Sequence, residues 1–204
     1  MRRYFGAFLL WAVIVSTAFA ANPNKAFLIG TDLQTSSASG YVIVSGNALA
    51  QEIVFTEDVK TSSITIVVGG SYKNLEGGAA GFGADVAFLV QLTKGLGSGS
   101  TILAQQELVF KALPDRYYAS TFSVPAHLKL DEGTYYLVLS TKSTSAVGDL
   151  AWSNNEELDS SVGHLGIAYY GNPYGYEHPN EATFVPATIG DQVLQFQLFG
   201  RAVR

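Results

Sequence analysis

"DQVLQFQLFG", Asp191–Gly200, alternates with a period of two: Leu194, Phe196 and Leu198 point one way, Gln195 and Gln197 the other. That is the pattern of a strand with one face against a core. Three further stretches repeat it. "SSITIVVGG" places Ile64, Ile66 and Val68 on one side, and "ADVAFLVQL" does the same with Val86, Phe88, Val90 and Leu92. "YASTFSV" aligns Tyr118, Phe122 and Val124. Turn-forming residues separate the runs: Ser45-Gly46-Asn47, Gly69-Gly70, Gly95 to Ser100, Asp131-Glu132-Gly133 and Gly171-Asn172-Pro173. No helical apolar stripe of useful length interrupts them. Roughly nine to eleven strands at hairpin-like spacing are predicted. The predicted fold class is all-β: an antiparallel two-sheet β-sandwich, jelly-roll-like.

"LKLDEGTYYLVLST", Leu128–Thr141, departs from simple alternation. Tyr135, Leu137 and Leu139 alternate with Tyr136, Val138 and Ser140, so both faces are largely apolar. A central strand covered on both sides has this signature, and Gly133 supplies the tolerance of a positive φ that the preceding turn needs. The glycine-rich stretch "NLEGGAAGFGAD", Asn74–Asp85, has no following helix and no Lys-Ser/Thr pair, so it reads as a β–β loop rather than a phosphate cradle.

The first twenty residues, "MRRYFGAFLLWAVIVSTAFA", have the form of an export signal: Arg2 and Arg3, an apolar run from Phe5 to Val15, then Ala18-Phe19-Ala20 for cleavage. The run is shorter than the roughly 20 residues needed to cross a bilayer. Residues 1–20 are therefore expected to be a signal peptide, and 21–204 a single domain with no membrane span, secreted or held at the cell surface or in the periplasm. There is no cysteine, which excludes disulfides, thiolate metal sites and a cysteine nucleophile. Loss of Arg2 and Arg3 takes the formal charge from −5 to −7, and the remaining basic residues are scattered. No nucleic-acid partner is expected from such a surface.

Several segments together resemble bacterial exported β-sandwich domains of the PEP-CTERM and choice-of-anchor surface-protein type. "ALAQEIVFTEDVKTSSITIVVGG" is similar to the family's opening strands, and "VAFLVQLTKGLGSGSTILAQQELVF" to the next strand, loop and strand. "VPAHLKLDEGTYYLVLST" is similar to its "V-x-L-x-x-G-T-Y-Y-L-V-L" run, with Leu128 at the first position, while "DLAWSNN" and "LQFQLFG" resemble later strands. The likeness covers roughly Ala48 to Gly200 and excludes the family's C-terminal sorting segment. It implies an exported, non-enzymatic sandwich associated with the cell surface or matrix.

"AYYGNPYGYEHPNEATF", Ala168–Phe184, is the stretch richest in candidate ligand contacts. Tyrosine is a flat apolar plate with a polar tip, suited to stacking on the C–H faces of sugars while Asn and Glu bond hydroxyls. Tyr170, Tyr174, Tyr176, Asn172 and Glu177 supply both kinds of group. The alternative is that the rings pack the loop against the sandwich; of Tyr169 and Tyr170, one is expected to point inward and one outward. Trp152 is either a second stacking plate or a core filler. The expected partner is extracellular polysaccharide or another cell-surface component. An assembly module pairing through an exposed edge strand is the alternative function.

No cofactor is expected. Asn154, Asn155, Glu156, Glu157 and Asp159, with Asp32 and Asp191, are oxygen donors for calcium, but they lack the spaced Asp-x-Asp-x-Asp-Gly loop. A secreted glycoside hydrolase would need two carboxylates about 5 to 10 Å apart, and "EELD" does not alternate so as to aim them into one cleft. His127, His164 and His178 are widely spread, and no Gly-x-Ser-x-Gly elbow exposes a serine. No catalytic residues and no metal ligands are predicted.

Overall fold

The computed structural model describes residues 26–33, 40–43, 48–75, 79–81, 86–110, 117–141, 150–172, 183–187 and 193–203. They form β1 (Ala26–Gly30), β2 (Gly40–Ile43), β3 (Ala48–Phe55), β4 (Val59–Leu75), β5 (Ala79–Gly81), β6 (Val86–Lys94), β7 (Thr101–Phe110) and β8 (Tyr117–Pro125). After these come β9 (Lys129–Leu130), β10 (Gly133–Thr141), β11 (Leu150–Asn155), β12 (Gly163–Asn172), β13 (Thr183–Pro186), β14 (Val193–Leu194) and β15 (Phe196–Ala202). The count among the described residues exceeds the nine to eleven expected, in part because β5, β9 and β14 span only two or three residues, too few for alternation to be visible. Among the described residues no helix is long and apolar enough to cross a membrane.

Two antiparallel sheets pack as a sandwich. The six-stranded sheet runs β13-β12-β3-β10-β6-β7. The other runs β1-β15-β4-β11-β14, with β2, β5, β8 and β9 paired alongside. Between them lies one continuous core. Ile64, Ile66, Val68, Leu194, Phe196 and Leu198 come from the second sheet, and Leu49, Ile53, Phe55, Phe88, Val90, Leu92, Leu137 and Leu139 from the six-stranded one. Phe88 meets Phe122 edge-on at 5.0 Å across this interior. Ile64, Ile66, Val68, Phe88, Val90, Leu92, Val124, Leu194, Phe196 and Leu198, all picked out by alternation, therefore do bury one shared face. β10 lies centrally, between β3 and β6, as its two apolar faces predict.

Two buried glutamines show where alternation alone misleads. Gln195, on the polar side of its strand pattern, is 0 % exposed. It sits at the step between β14, which pairs with β11, and β15, which pairs with β4. Its carbonyl accepts from Val67 N–H at 3.4 Å and from the Trp152 indole Nε1 at 3.0 Å. Gln51 points into the core from β3 and is also 0 % exposed. Its Nε2 donates to Gly166 O at 2.8 Å, and its Oε1 accepts from Leu194 N–H at 3.0 Å. One side chain thus joins the two sheets and holds the bulge in β12, where the register slips between Leu165 and Ala168. Burying an amide without partners is costly, which is why both of its ends are occupied.

Candidate functional site

The outer face of the six-stranded sheet carries a second, smaller apolar cluster. Its floor is Ala48, Ala50 and Val138, and Leu96, Tyr136, Tyr169 and Phe184 pack around it. The register explains the arrangement. Tyr169 of β12 lies opposite Ala50 of β3, and Tyr136 of β10 lies opposite Glu52 of β3. β12 and β10 flank β3, so their backbones stand roughly 9.5 Å apart. The rings nevertheless meet, with centroids 5.9 Å apart and planes at 75°. They lean together over β3 because alanine leaves the space above it free, and the edge-to-face angle matches the quadrupole preference of aromatic pairs.

A cavity of about 450 Å³ opens beside the tyrosine pair, lined by Leu96, Gly97, Ser98, Tyr136, Tyr169, Thr183 and Phe184. Two local features build its walls. Gly95, Gly97 and Gly99 have φ of 88°, 74° and 88°, so the β6–β7 turn curls tightly in a way side-chain-bearing residues resist. Thr93 Oγ1 donates to Gly95 O at 2.8 Å at the base of that turn. On the opposite wall Phe184 is paired with Gly171, and a Cβ at 171 would lie 2.7 Å from the phenyl ring. Gly171 is the residue that lets the ring lie down on its strand.

Glu52 gives the site its polarity. The Tyr169 hydroxyl donates to Glu52 Oε2 at 3.0 Å. Burial, then the bond to this carboxylate and its charge, push the Tyr169 phenol up to about 12. Burial, then the charge of Glu52, raise Tyr136 as well. Both phenols are therefore protonated at neutral pH, holding O–H groups beside a carboxylate that has further lone pairs to offer.

The residues predicted from sequence are distributed unevenly over this geometry. The expected split of the tyrosine pair is present, but in the opposite sense to the candidate assignment: Tyr170 packs against the interior cluster, with its partner position Leu49 in the core, and Tyr169 takes the outward place. Of the two readings of Trp152, the core filler holds and the stacking plate does not. Its indole is 0 % exposed, aligned with Val68 on the core side, so it fills the interior and offers no stacking surface. Asn172 ends β12 opposite Thr183, which lines the cavity. Tyr174, Tyr176 and Glu177, together with residues 1–20, lie outside the described residues. Glu52, Tyr136 and Phe184 were not singled out. The signal for them was "ALAQE", which puts Ala48, Ala50 and Glu52 on one face and Leu49 and Gln51 on the other.

The acidic stretch after Trp152 works as a clasp. Glu157 Oε1 accepts from Leu165 N–H at 2.7 Å, and Asn155 Nδ2 donates to Asp32 O at 3.0 Å. Among the described residues no group of three or more His, Asp or Glu side chains is placed to hold a metal ion. His127, in the connection between β8 and β9, and His164, on β12, are exposed, whereas His178 and Asp191 lie outside the described residues. No family model matches the chain, and no curated protein does.

Proposed function

We propose that this chain is an exported, non-catalytic binding protein of the cell surface or matrix, and that it holds a saccharide unit in the cavity beside Tyr136, Tyr169 and Phe184. One observation carries the reading: two tyrosines leaning together over an alanine floor, with Glu52 bonded to one of them, at the mouth of a cavity of about 450 Å³. That volume lies in the roughly 300–1,000 Å³ range of small-molecule sites, where apolar walls provide area and a few polar groups fix orientation. Ring faces accept C–H groups, and the Tyr–Glu pair accepts or donates to hydroxyls. The pairing of β12 with β13, from Tyr169↔Pro186 to Asn172↔Thr183, delivers Tyr169 and Phe184 to the cavity. The resemblance to PEP-CTERM and choice-of-anchor domains supports export and surface association. Binding is favoured over hydrolysis because a glycosidase needs a pair of carboxylates flanking the bond, and the described lining is aromatic, aliphatic and hydroxyl.

The test is a glycan array probed with the secreted chain, followed by calorimetric titration of the best ligand. Retention of a neutral glycan, weakened at least tenfold by Tyr136→Ala and by Tyr169→Ala, is expected. Silence across the array, or wild-type affinity in both variants, overturns the reading.

A further inference from the structure

The two edges of the six-stranded sheet are built differently. β13 is four residues long and ends in Pro186, both of which discourage strand addition. β7, "TILAQQELVF", is ten residues long, with no proline, no glycine and a single charged residue, Glu107. It pairs with β6 along its whole length, from Val86↔Phe110 to Lys94↔Thr101. Among the described residues no strand pairs with its other edge. Ile102 and Val109 on it are 39 % and 42 % exposed. Natural sheets usually blunt such an edge with lysine, proline or a short strand, and β7 has none of these devices.

We infer that β7 pairs antiparallel with β7 of a second copy of this chain, joining two six-stranded sheets edge to edge about a two-fold axis through Gln106. The side-chain order of the strand selects this occupant and this register. Ala104, Gln106 and Leu108 lie opposite Leu92, Val90 and Phe88 and so face the core side, whereas Gln105, Glu107 and Val109 lie opposite Gln91, Leu89 and Ala87 on the outer side. In a continuous sheet, residues directly opposite share a face. A two-fold axis normal to the sheet must therefore pass through a residue, not between two. Through Gln106, small Ala104 meets large Leu108 of the second copy, and Gln105 meets Glu107. Gln105 Oε1 already accepts from Gln91 Nε2 at 3.1 Å, so its amide N–H groups are the part directed to an acceptor across the axis. An axis through Glu107 would set two carboxylates face to face, which is disfavoured. An axis through Gln105 would set Glu107 against Leu103, beside the register slip that separates Ala104 from Ile102. A ladder this short buries less than the roughly 1,200 Å² of a standard interface, so the dimer is weak and depends on concentration.

The absence of native cysteine makes a cysteine scan clean. Under mild oxidation at high protein concentration, Gln106→Cys is expected to give a disulfide dimer in at least tenfold greater yield than Gln105→Cys or Glu107→Cys. Sedimentation equilibrium supplies an independent measure: Gln105→Lys, facing Glu107, is expected to tighten self-association about tenfold, and Gln105→Glu to weaken it about tenfold. Unchanged melting temperatures verify that these substitutions leave the fold intact. A chain that stays monomeric to millimolar concentration overturns the proposal. So does preferential crosslinking at 105 or 107, or a shift of the same sign for both charged variants. Loss of glycan binding in the titration above leaves this result untouched, because β7 contributes no side chain to the cavity lining.

Discussion

The two faces of β3 obey opposite size rules. Inward, Leu49, Ile53 and Phe55 are large and fully buried, and they interlock with Tyr135, Leu137 and Leu139 of the neighbouring strand. Outward, Ala48 and Ala50 are small and equally buried, and the bulk comes from Tyr136 and Tyr169 on the strands to either side. A core needs volume at every position, so any large apolar residue of suitable shape contributes. A concavity needs a small residue flanked by large ones, so its specification lies in differences between adjacent strands. The inward face therefore makes the fold and the outward face makes the site, using consecutive residues of one strand.

Exchanging the sizes across that strand tests the contrast directly. Leu49→Ala removes core volume that cannot be refilled and is expected to cost about 2–5 kcal/mol in chemical denaturation. Gln51→Leu keeps the volume but removes both amide partners. Gly166 O, part-buried, and Leu194 N–H, buried, are then left unmatched, and the full penalty of about 1–3 kcal/mol falls on the buried one. A loss of about 2–4 kcal/mol is expected; no loss would mean that the bulge in β12 is held by something other than Gln51. Ala50→Leu, one position away, makes the opposite error. It overfills the floor, drives Tyr136 and Tyr169 apart, and is expected to cost about 1–3 kcal/mol while closing the cavity. If Ala50→Leu instead stabilised the chain, the outer cluster would be an underpacked surface rather than a shaped site.

The inward face was legible because its rule is periodic. Leu194, Phe196, Leu198, Ile64, Ile66 and Val68 all lie where alternation puts them. Alternation cannot state which strands are neighbours, so it gave no reason to connect Ala50, Tyr136 and Tyr169, three residues that meet only after β12, β3 and β10 are aligned. It also assigned Gln195 to a polar side that turns out to be covered, since the step from β14 to β15 is a feature of pairing and not of hydropathy. Trp152 was ambiguous for a related reason. An indole has both an apolar plate and a donor, and only the position of the Gln195 carbonyl decides that the donor is satisfied inside. Tyr169 and Tyr170 illustrate the one-residue margin of such readings: the pattern requires one ring in and one out, but the bulge between Leu165 and Ala168 sets which is which.

The smallest expected effect isolates a single hydroxyl. Tyr169→Phe keeps the ring, and hence the packing over Ala50, and removes the bond to Glu52 Oε2; a loss of about 1 kcal/mol or less is expected at neutral pH. Its pH dependence is more informative. In the folded chain this phenol loses its proton near pH 12, above the ordinary value of 10. Below pH 10 the group is protonated whether the chain is folded or not, and its contribution is fully present. Between pH 10 and about 12 only the unfolded chain ionises, so stability falls as pH rises and the contribution is gone once the folded phenol has titrated. The melting temperature of the wild-type chain should therefore drop more steeply through that window than that of Tyr169→Phe. Tyr136, raised in the same direction, retains part of the slope in the variant. Superimposable melting curves of the two proteins across the window would show that Tyr169 is neither buried nor joined to Glu52 in solution, and the outward face would lose the polar anchor that distinguishes it from the core.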